Sequence, residues 1–240
     1  MFGDKTMSIA IENVTKKYND LVIYKNFSLE LQDGKISCIL GPSGCGKTTL
    51  LNIIGGITIP ESGNIRMQDN SVYSYIFQEP RLLPWKTVQG NIRFVLRNIK
   101  MDNKEDYIRR NLRMVGLEKF RNYFPGQLSG GMKQRVSIAR AFIYPSNIIL
   151  MDEPLKTLDP KLKWNLMNTF LKVWQRDKRT VVFVTHDVDE ALILGEDIFV
   201  FSKAPVEIKK KFKNTLSPEQ KQMDNTSFFN WKKDILDVLD

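Results

Sequence analysis

Residues 36–54, Ile-Ser-Cys-Ile-Leu-Gly-Pro-Ser-Gly-Cys-Gly-Lys-Thr-Thr-Leu-Leu-Asn-Ile-Ile, place a buried-strand pattern, a glycine-rich turn and a helix start in immediate succession. The apolar run at 36–40 reads as a strand covered on both faces, 41–46 as the turn, and 47–54 as a helix whose first N–H groups point back into that turn. Gly41, Gly44 and Gly46 let the backbone curl so that successive amides face inward, and the helix dipole adds partial positive charge at the same place. Such a nest selects phosphate-sized anions. Gly41, Gly46, Lys47 and Thr48 occupy the required positions of G-x-x-x-x-G-K-[ST], with Pro42, Ser43, Gly44 and Cys45 between them. Lys47 is placed to reach β- and γ-phosphates and the Thr48 hydroxyl to bind Mg²⁺, with Thr49 at the α-phosphate.

A chain of 240 residues, 42% hydrophobic, can bury a sizeable core, as one large α/β domain or a domain carrying a subdomain. No apolar run of about 18 residues is present, and the start Met-Phe-Gly-Asp-Lys lacks the apolar segment of a signal peptide. A cytosolic chain, held at a membrane only through a partner, is the expectation. The formal charge of +9 admits either a nucleic-acid surface or contact with anionic lipid and acidic partners. Its basic residues are scattered, apart from Lys209-Lys210-Lys211 and Arg109-Arg110, and no aromatic-basic RNA-binding module appears. Two cysteines, Cys38 and Cys45, make no disulfide framework; Cys45 is either a small turn residue or a thiol with a lowered pKa beside the helix N-terminus.

Taken in order, residues 8–14 and 21–31 alternate around the turn Asn19-Asp20 and read as antiparallel strands. Tyr18, just before that turn, either stacks on a purine or packs locally. Residues 64–67 and 74–77 read as short strands, with Gln78 directly after the second, and 87–99 and 104–115 carry helical spacing. The stretch of about 86–140 is therefore a helical insert, ending in Leu128-Ser-Gly-Gly-Met132 at the head of a helix over 132–142, with Ser129 as its N-cap. Buried-strand patterns return at 147–151 and 180–185. The first ends in Asp152-Glu153-Pro154; successive strand residues face opposite ways, so one acid can serve a metal while the other addresses a nucleophile. The second delivers His186, the only histidine, to the edge where open α/β sheets bind ligands, with Asp187 starting a helix. An amphipathic helix over 160–175, a strand over 197–201, a lysine-rich stretch over 207–213, a polar segment over 214–226 and a helix over 228–239 complete the chain; about 204–240 forms a tail. The expected fold is a three-layer α/β core with a β-rich start and a helical insert.

The order of these motifs resembles the ATP-binding subunits of ABC transporters, from Tyr18 to about Lys203. The turn at 41–49, Gln78, Leu-Ser-Gly-Gly, a strand ending Asp-Glu-Pro, Leu158-Asp159 and Val-Thr-His186 stand in the family's order. The resemblance implies a P-loop NTPase core with an N-terminal antiparallel β subdomain and a helical subdomain. It implies that Tyr18 stacks on adenine, that 41–49 cradles the phosphates of ATP, and that Thr48, Gln78 and Asp152 meet Mg²⁺. Glu153 would be the general base or water-polarising carboxylate, with His186 at the γ-phosphate. Ser129, Gly130 and Gly131 would close over the nucleotide of the opposite subunit in a head-to-tail homodimer that Asp159 links. Two positions depart from the usual pattern: Met132 stands where Gln is common, and Lys156 in a loop that is often Gly-Ala or Ser-Ala. The stretch between Gly63 and Gln78 is also short, which implies a trimmed β subdomain.

Residues 77–85, Phe-Gln-Glu-Pro-Arg-Leu-Leu-Pro-Trp, are similar to importers of nitrate, sulfonate, taurine and related nutrients. A dimer on the cytoplasmic membrane face, beneath permease subunits fed by a solute-binding protein and without nucleic acid, is the expected setting. Trp85 then either docks the permease or fills a subdomain joint. The rivals are a non-transport ABC ATPase acting on nucleic acid or ribosomes, for which 240 residues leave no room for a long coiled coil or second ATPase domain, and a nucleotide-binding module without turnover, against which Glu153 and His186 stand.

Overall fold

The computed structural model describes residues 9–221 and 225–239. The expected strand start at Ser8, the N-terminal stretch 1–5, residues 222–224 of the polar segment and Asp240 lie outside the described residues. In chain order come β1 (Ile9–Tyr18), β2 (Leu21–Leu31), β3 (Ile36–Leu40), α1 (Lys47–Ile54), β4 (Ser62–Arg66) and β5 (Tyr73–Ile76). The helices α2 (Val88–Val95), α3 (Lys104–Met114) and α4 (Gly130–Ile143) follow without an intervening strand. After them come β6 (Ile148–Asp152), α5 (Pro160–Asp177), β7 (Thr180–Thr185), α6 (Val188–Leu194), β8 (Asp197–Phe201), β9 (Ile208–Lys213) and α7 (Thr226–Leu239).

The larger sheet runs β5-β6-β7-β3-β8-β9, its first five strands parallel and β9 antiparallel to β8. Alternation along these strands divides the core between the two faces. Ile36, Cys38, Leu40, Val181, Phe183, Ile198 and Val200 point towards α4, α5, α6 and α7. Ile39, Val182, Val184, Phe199 and Phe201 point the other way, against α1 and the apolar faces of β1 and β2. Covering both faces is what near-continuous apolar strands require, and it explains why β3, β6, β7 and β8 are buried at every residue. The smaller antiparallel sheet, β2-β1-β4, pairs Tyr18 with Leu21 across the Asn19-Asp20 turn, as the alternating pattern predicts.

Three sequence expectations shift. The helix expected over 87–99 ends at Val95, and Ile99 packs on the core from a turn beyond it, so apolar spacing outlasts the helix. The strands expected at 64–67 and 74–77 sit one or two residues earlier. The lysine-rich stretch forms β9, an edge strand in which Phe212 is buried while Lys209, Lys210, Lys211 and Lys213 face water. Lysines on an exposed edge discourage pairing with another chain.

Fully buried Asn91 on α2 closes the turn before its own helix: Oδ1 accepts from Leu83 N at 2.8 Å, and Nδ2 donates to the carbonyls of Leu83, Lys86 and Thr87 at 3.1–3.2 Å. Asn91→Ala strands those groups without water, and thermal or denaturant melts are expected to show a loss of about 1–3 kcal/mol. The clamped turn presents Trp85, 71% exposed.

Candidate nucleotide site

The parallel strands β5, β6, β7 and β3 all end at the same sheet edge, so the chain segments that leave them meet there. From β3 comes the glycine turn. Gly44 and Gly46 hold φ of 77° and 111°, and a Cβ at Gly46 would lie 2.5 Å from Ile23 Cγ2. Only glycine closes this loop. The Tyr24 hydroxyl donates to the Gly46 carbonyl at 2.9 Å and fixes the turn to β2. Lys47, 5% exposed, folds back to donate to the carbonyls of Gly41 and Pro42 at 2.7 and 2.9 Å. A buried ammonium held over a nest of amides is a phosphate-binding arrangement. Ser43, Gly44 and Thr48 are exposed, as a loop open to a ligand requires. Cys45 is buried, and burial pushes its thiol pKa up despite the neighbouring Lys47, so the alternative of a lowered pKa is corrected: Cys45 packs in the loop.

Asp152 ends β6 and accepts from the Thr48 hydroxyl at 3.0 Å, although β7 lies between β6 and β3 in the sheet. Burial raises the Asp152 pKa, and the hydrogen bond from Thr48 only partly offsets it. A hard carboxylate and a hydroxyl side by side next to a phosphate nest fit Mg²⁺, which takes one or two carboxylates, water and phosphate oxygens rather than an all-protein cage.

Directly after Asp152 the chain turns through left-handed backbone at Glu153, φ 41°. For a residue with a Cβ this costs about 1–2 kcal/mol. The turn sets the Glu153 carboxylate, 11% exposed, 3.2 Å from His186 Nδ1 at the end of β7. Its other oxygen, Oε2, is buried without a directed hydrogen bond, and the Lys156 ammonium stands 2.9 Å from it as an ion pair. Burial pushes the Glu153 pKa up, but Lys156 and His186 together outweigh it and hold the carboxyl below the usual range. Beneath His186, Asp187 caps α6 by accepting from the N–H groups of Asp189 and Glu190. Lys163 of α5 pairs with Asp187 at 3.0 Å and with buried Glu190 at 2.6 Å. Burial raises the Glu190 pKa even so, while Lys163 lowers that of Asp187 against its burial.

No side-chain hydrogen bond or ion pair among the described residues joins the remaining expected residues to this cluster. Gln78 is exposed on the turn after β5, and Tyr18 is exposed at the end of β1. Ser129 caps α4 by accepting from Met132 N at 3.3 Å, with Gly130 and Gly131 in the helix's first turn. Asp159 caps α5 by accepting from Leu162 N at 2.9 Å. Sequence reading missed two partners, Lys156 on Glu153 and Lys163 on Asp187 and Glu190. The first had a local signal in its i,i+3 spacing, whereas the second depends on α5 lying beside α6.

A phosphate nest at the carboxyl edge of a mostly parallel sheet, with a strand-end acid on the nest's hydroxyl, defines a P-loop nucleotide-binding protein. The family described as ABC transporter matches residues 24–156. The chain is 38% identical to an uncharacterized ABC transporter ATP-binding protein of Methanocaldococcus jannaschii, over 97% of this chain and 91% of that one. It is 35% identical to the aliphatic sulfonates import ATP-binding protein SsuB of Bacillus cereus, over 96% and 95%. Among solved structures it is similar to MJ0796, a bacterial ABC transporter cassette in dimeric form, with TM-score 0.77 and 33% identity over 87% of this chain and 100% of that one. The chain belongs to the ABC transporter family, as an ATP-binding subunit with ATPase activity. Among the described residues no helix is long and apolar enough to cross a membrane.

Proposed function

We propose that the chain is the ATP-hydrolysing motor of an importer for a small organic or anionic nutrient of the sulfonate, taurine or nitrate kind. It works as a head-to-tail homodimer on the cytoplasmic face of the cell membrane, beneath permease subunits fed by a solute-binding protein. The observation that carries the hydrolytic part is the meeting of Thr48 with Asp152, and of Glu153 with His186, at one sheet edge beside Lys47. Likeness to SsuB supports the nutrient class.

Tyr18 stacks on the adenine ring, and the 41–49 turn with Lys47 holds the phosphates. Thr48 and Asp152, with Gln78, would hold Mg²⁺, which when bound neutralises phosphate charge. Glu153 takes a proton from water as the water oxygen bonds the γ-phosphorus and the bond to the β–γ bridging oxygen breaks, releasing ADP and phosphate. His186, set by its contact with Glu153, positions the water and touches the γ-phosphate. Ser129, Gly130 and Gly131 offer the N-terminus of α4 to the partner's nucleotide, and Asp159 joins the two sites.

Trp85 is a large aromatic held out on a rigid turn, which suits a partner surface. In vesicles containing the permease, with binding protein and alkanesulfonate, taurine or nitrate supplied in turn, solute uptake is expected to require ATP and this subunit. Trp85→Ala should leave ATPase activity of the isolated subunit within about twofold while weakening permease co-purification and uptake by about tenfold, the size of a truncated anchor. Normal coupling by the variant returns Trp85 to a packing role; uptake of none of the three solutes overturns the nutrient class.

A further inference from the structure

Glu153 is held by partners that lie outside the phosphate nest. One carboxylate oxygen faces His186 at 3.2 Å, and the other, Oε2, is buried with no directed hydrogen bond, facing only the Lys156 ammonium at 2.9 Å. A buried carboxylate oxygen needs a partner, and among the described residues the Lys156 ammonium is the one that meets Oε2. Lys156 stands at that position on a side chain 46% exposed, three residues along the turn that leaves β6. The other nearby cation, Lys163, is committed to Asp187 and Glu190. Lys156 therefore occupies the place that a water would take at Oε2, and its half-exposed ammonium leaves the pair open to solvent from the lysine side.

We propose that Lys156 is a positioning residue that brakes hydrolysis: in the resting subunit it holds Glu153 through Oε2, and turnover requires the ammonium to give way to the attacking water. This rests on the reading of Glu153 as the carboxylate that addresses water. The turn is built for such release. The Lys156 backbone N–H donates only to Glu153 O, within the turn, at 3.3 Å, while Leu155 and Leu158 are buried and anchor the turn on either side. The side chain can thus swing without moving the turn. Displacement would be driven where the segment up to Asp159 meets a second subunit, so the brake would be strongest on the unassembled chain.

The test is steady-state ATP hydrolysis by the full-length purified subunit at saturating Mg-ATP. Lys156→Ala is expected to raise kcat by about two- to fivefold, the range expected from releasing a half-exposed ion pair, with KM for ATP unchanged because the phosphate nest is untouched. Lys156→Gln, which keeps the stem and removes the charge, should do the same. Lys156→Arg, which retains the cation, should restore the slow rate. In a Glu153→Gln background, Lys156→Ala should give no rise, since the brake acts through the carboxylate. A kcat for both neutral variants that is unchanged or lower overturns the proposal, as does a rise that persists in the Glu153→Gln background or an Arg variant as fast as the Ala one. A KM that changes by the same factor as kcat places Lys156 on the nucleotide instead and also overturns it. Glu153→Gln hydrolysing at the parent rate sinks the reading of Glu153 itself, and the brake with it; a slow Glu153→Gln, together with neutral Lys156 variants that match the parent rate where Glu153 is native, sinks the brake alone.

Discussion

Glu153→Gln is expected to bind Mg-ATP as the parent does, to hydrolyse it about 10²- to 10⁴-fold more slowly, and to accumulate as a closed dimer. The substitution keeps the size of the side chain and removes one charge. It leaves Lys47 on the Gly41 and Pro42 carbonyls and Thr48 on Asp152, so the phosphate nest and its hydroxyl–carboxylate pair are intact. What it removes is the proton acceptor beside His186. The amide could keep a contact with His186 and would no longer attract Lys156, so the turn at 153–156 stays folded on its buried Leu155. Light scattering or gel filtration with ATP reads the dimer, and phosphate release reads the chemistry. Turnover at the parent rate would show that another group takes the proton.

The nest and its neighbours were legible in sequence because their chemistry is local. Three glycines, a lysine and a threonine at fixed spacing leave few ways to build the 41–49 turn, and the structure adds why: Gly46 has no room for a Cβ against Ile23 and Tyr24. The parallel strands were legible because runs such as Thr180–Thr185 are apolar on both faces, which only a covered sheet permits. β9 was not, since an edge strand buries one residue in several and its four lysines read as a charged run. The alternation is there, but water sets most of it. Lys156 was visible as an unusual residue for its loop, yet nothing in the residues said that Glu153 would take a left-handed backbone and bring its carboxylate within reach. Lys163 was hidden further. It lies 24 residues from Asp187 and 27 from Glu190 in the chain, on a helix whose amphipathic pattern reports only which side is apolar.

Ser129 stands where a helix end can meet a nucleotide held by another subunit. Its hydroxyl caps α4, and the first turn of that helix exposes Gly130; a helix N-terminus with free amides is an anion site in search of an anion. In the head-to-tail reading the anion is the γ-phosphate held by the partner's Lys47. Lys47→Ala removes the ammonium from one nest, and Ser129→Arg blocks the facing helix end with a bulky side chain. The second change also removes a cap worth about 1 kcal/mol, too little to unfold a domain stable by about 5–15 kcal/mol. Each variant alone damages both sites of its homodimer, so neither should close. Mixed, they form a heterodimer in which one site carries both lesions and the other joins an intact Lys47 to an intact Ser129. In a Glu153→Gln background, where bound ATP is not consumed, the mixture is expected to trap close to one nucleotide per dimer while each parent traps almost none. The difference is all-or-nothing because the recovered site exists in no homodimer. Equal trapping by mixture and parents would mean that sites are not shared across subunits or that one site cannot hold a dimer closed. Full trapping by Ser129→Arg alone would remove the α4 N-terminus from the nucleotide altogether, and its cap would then be only a cap.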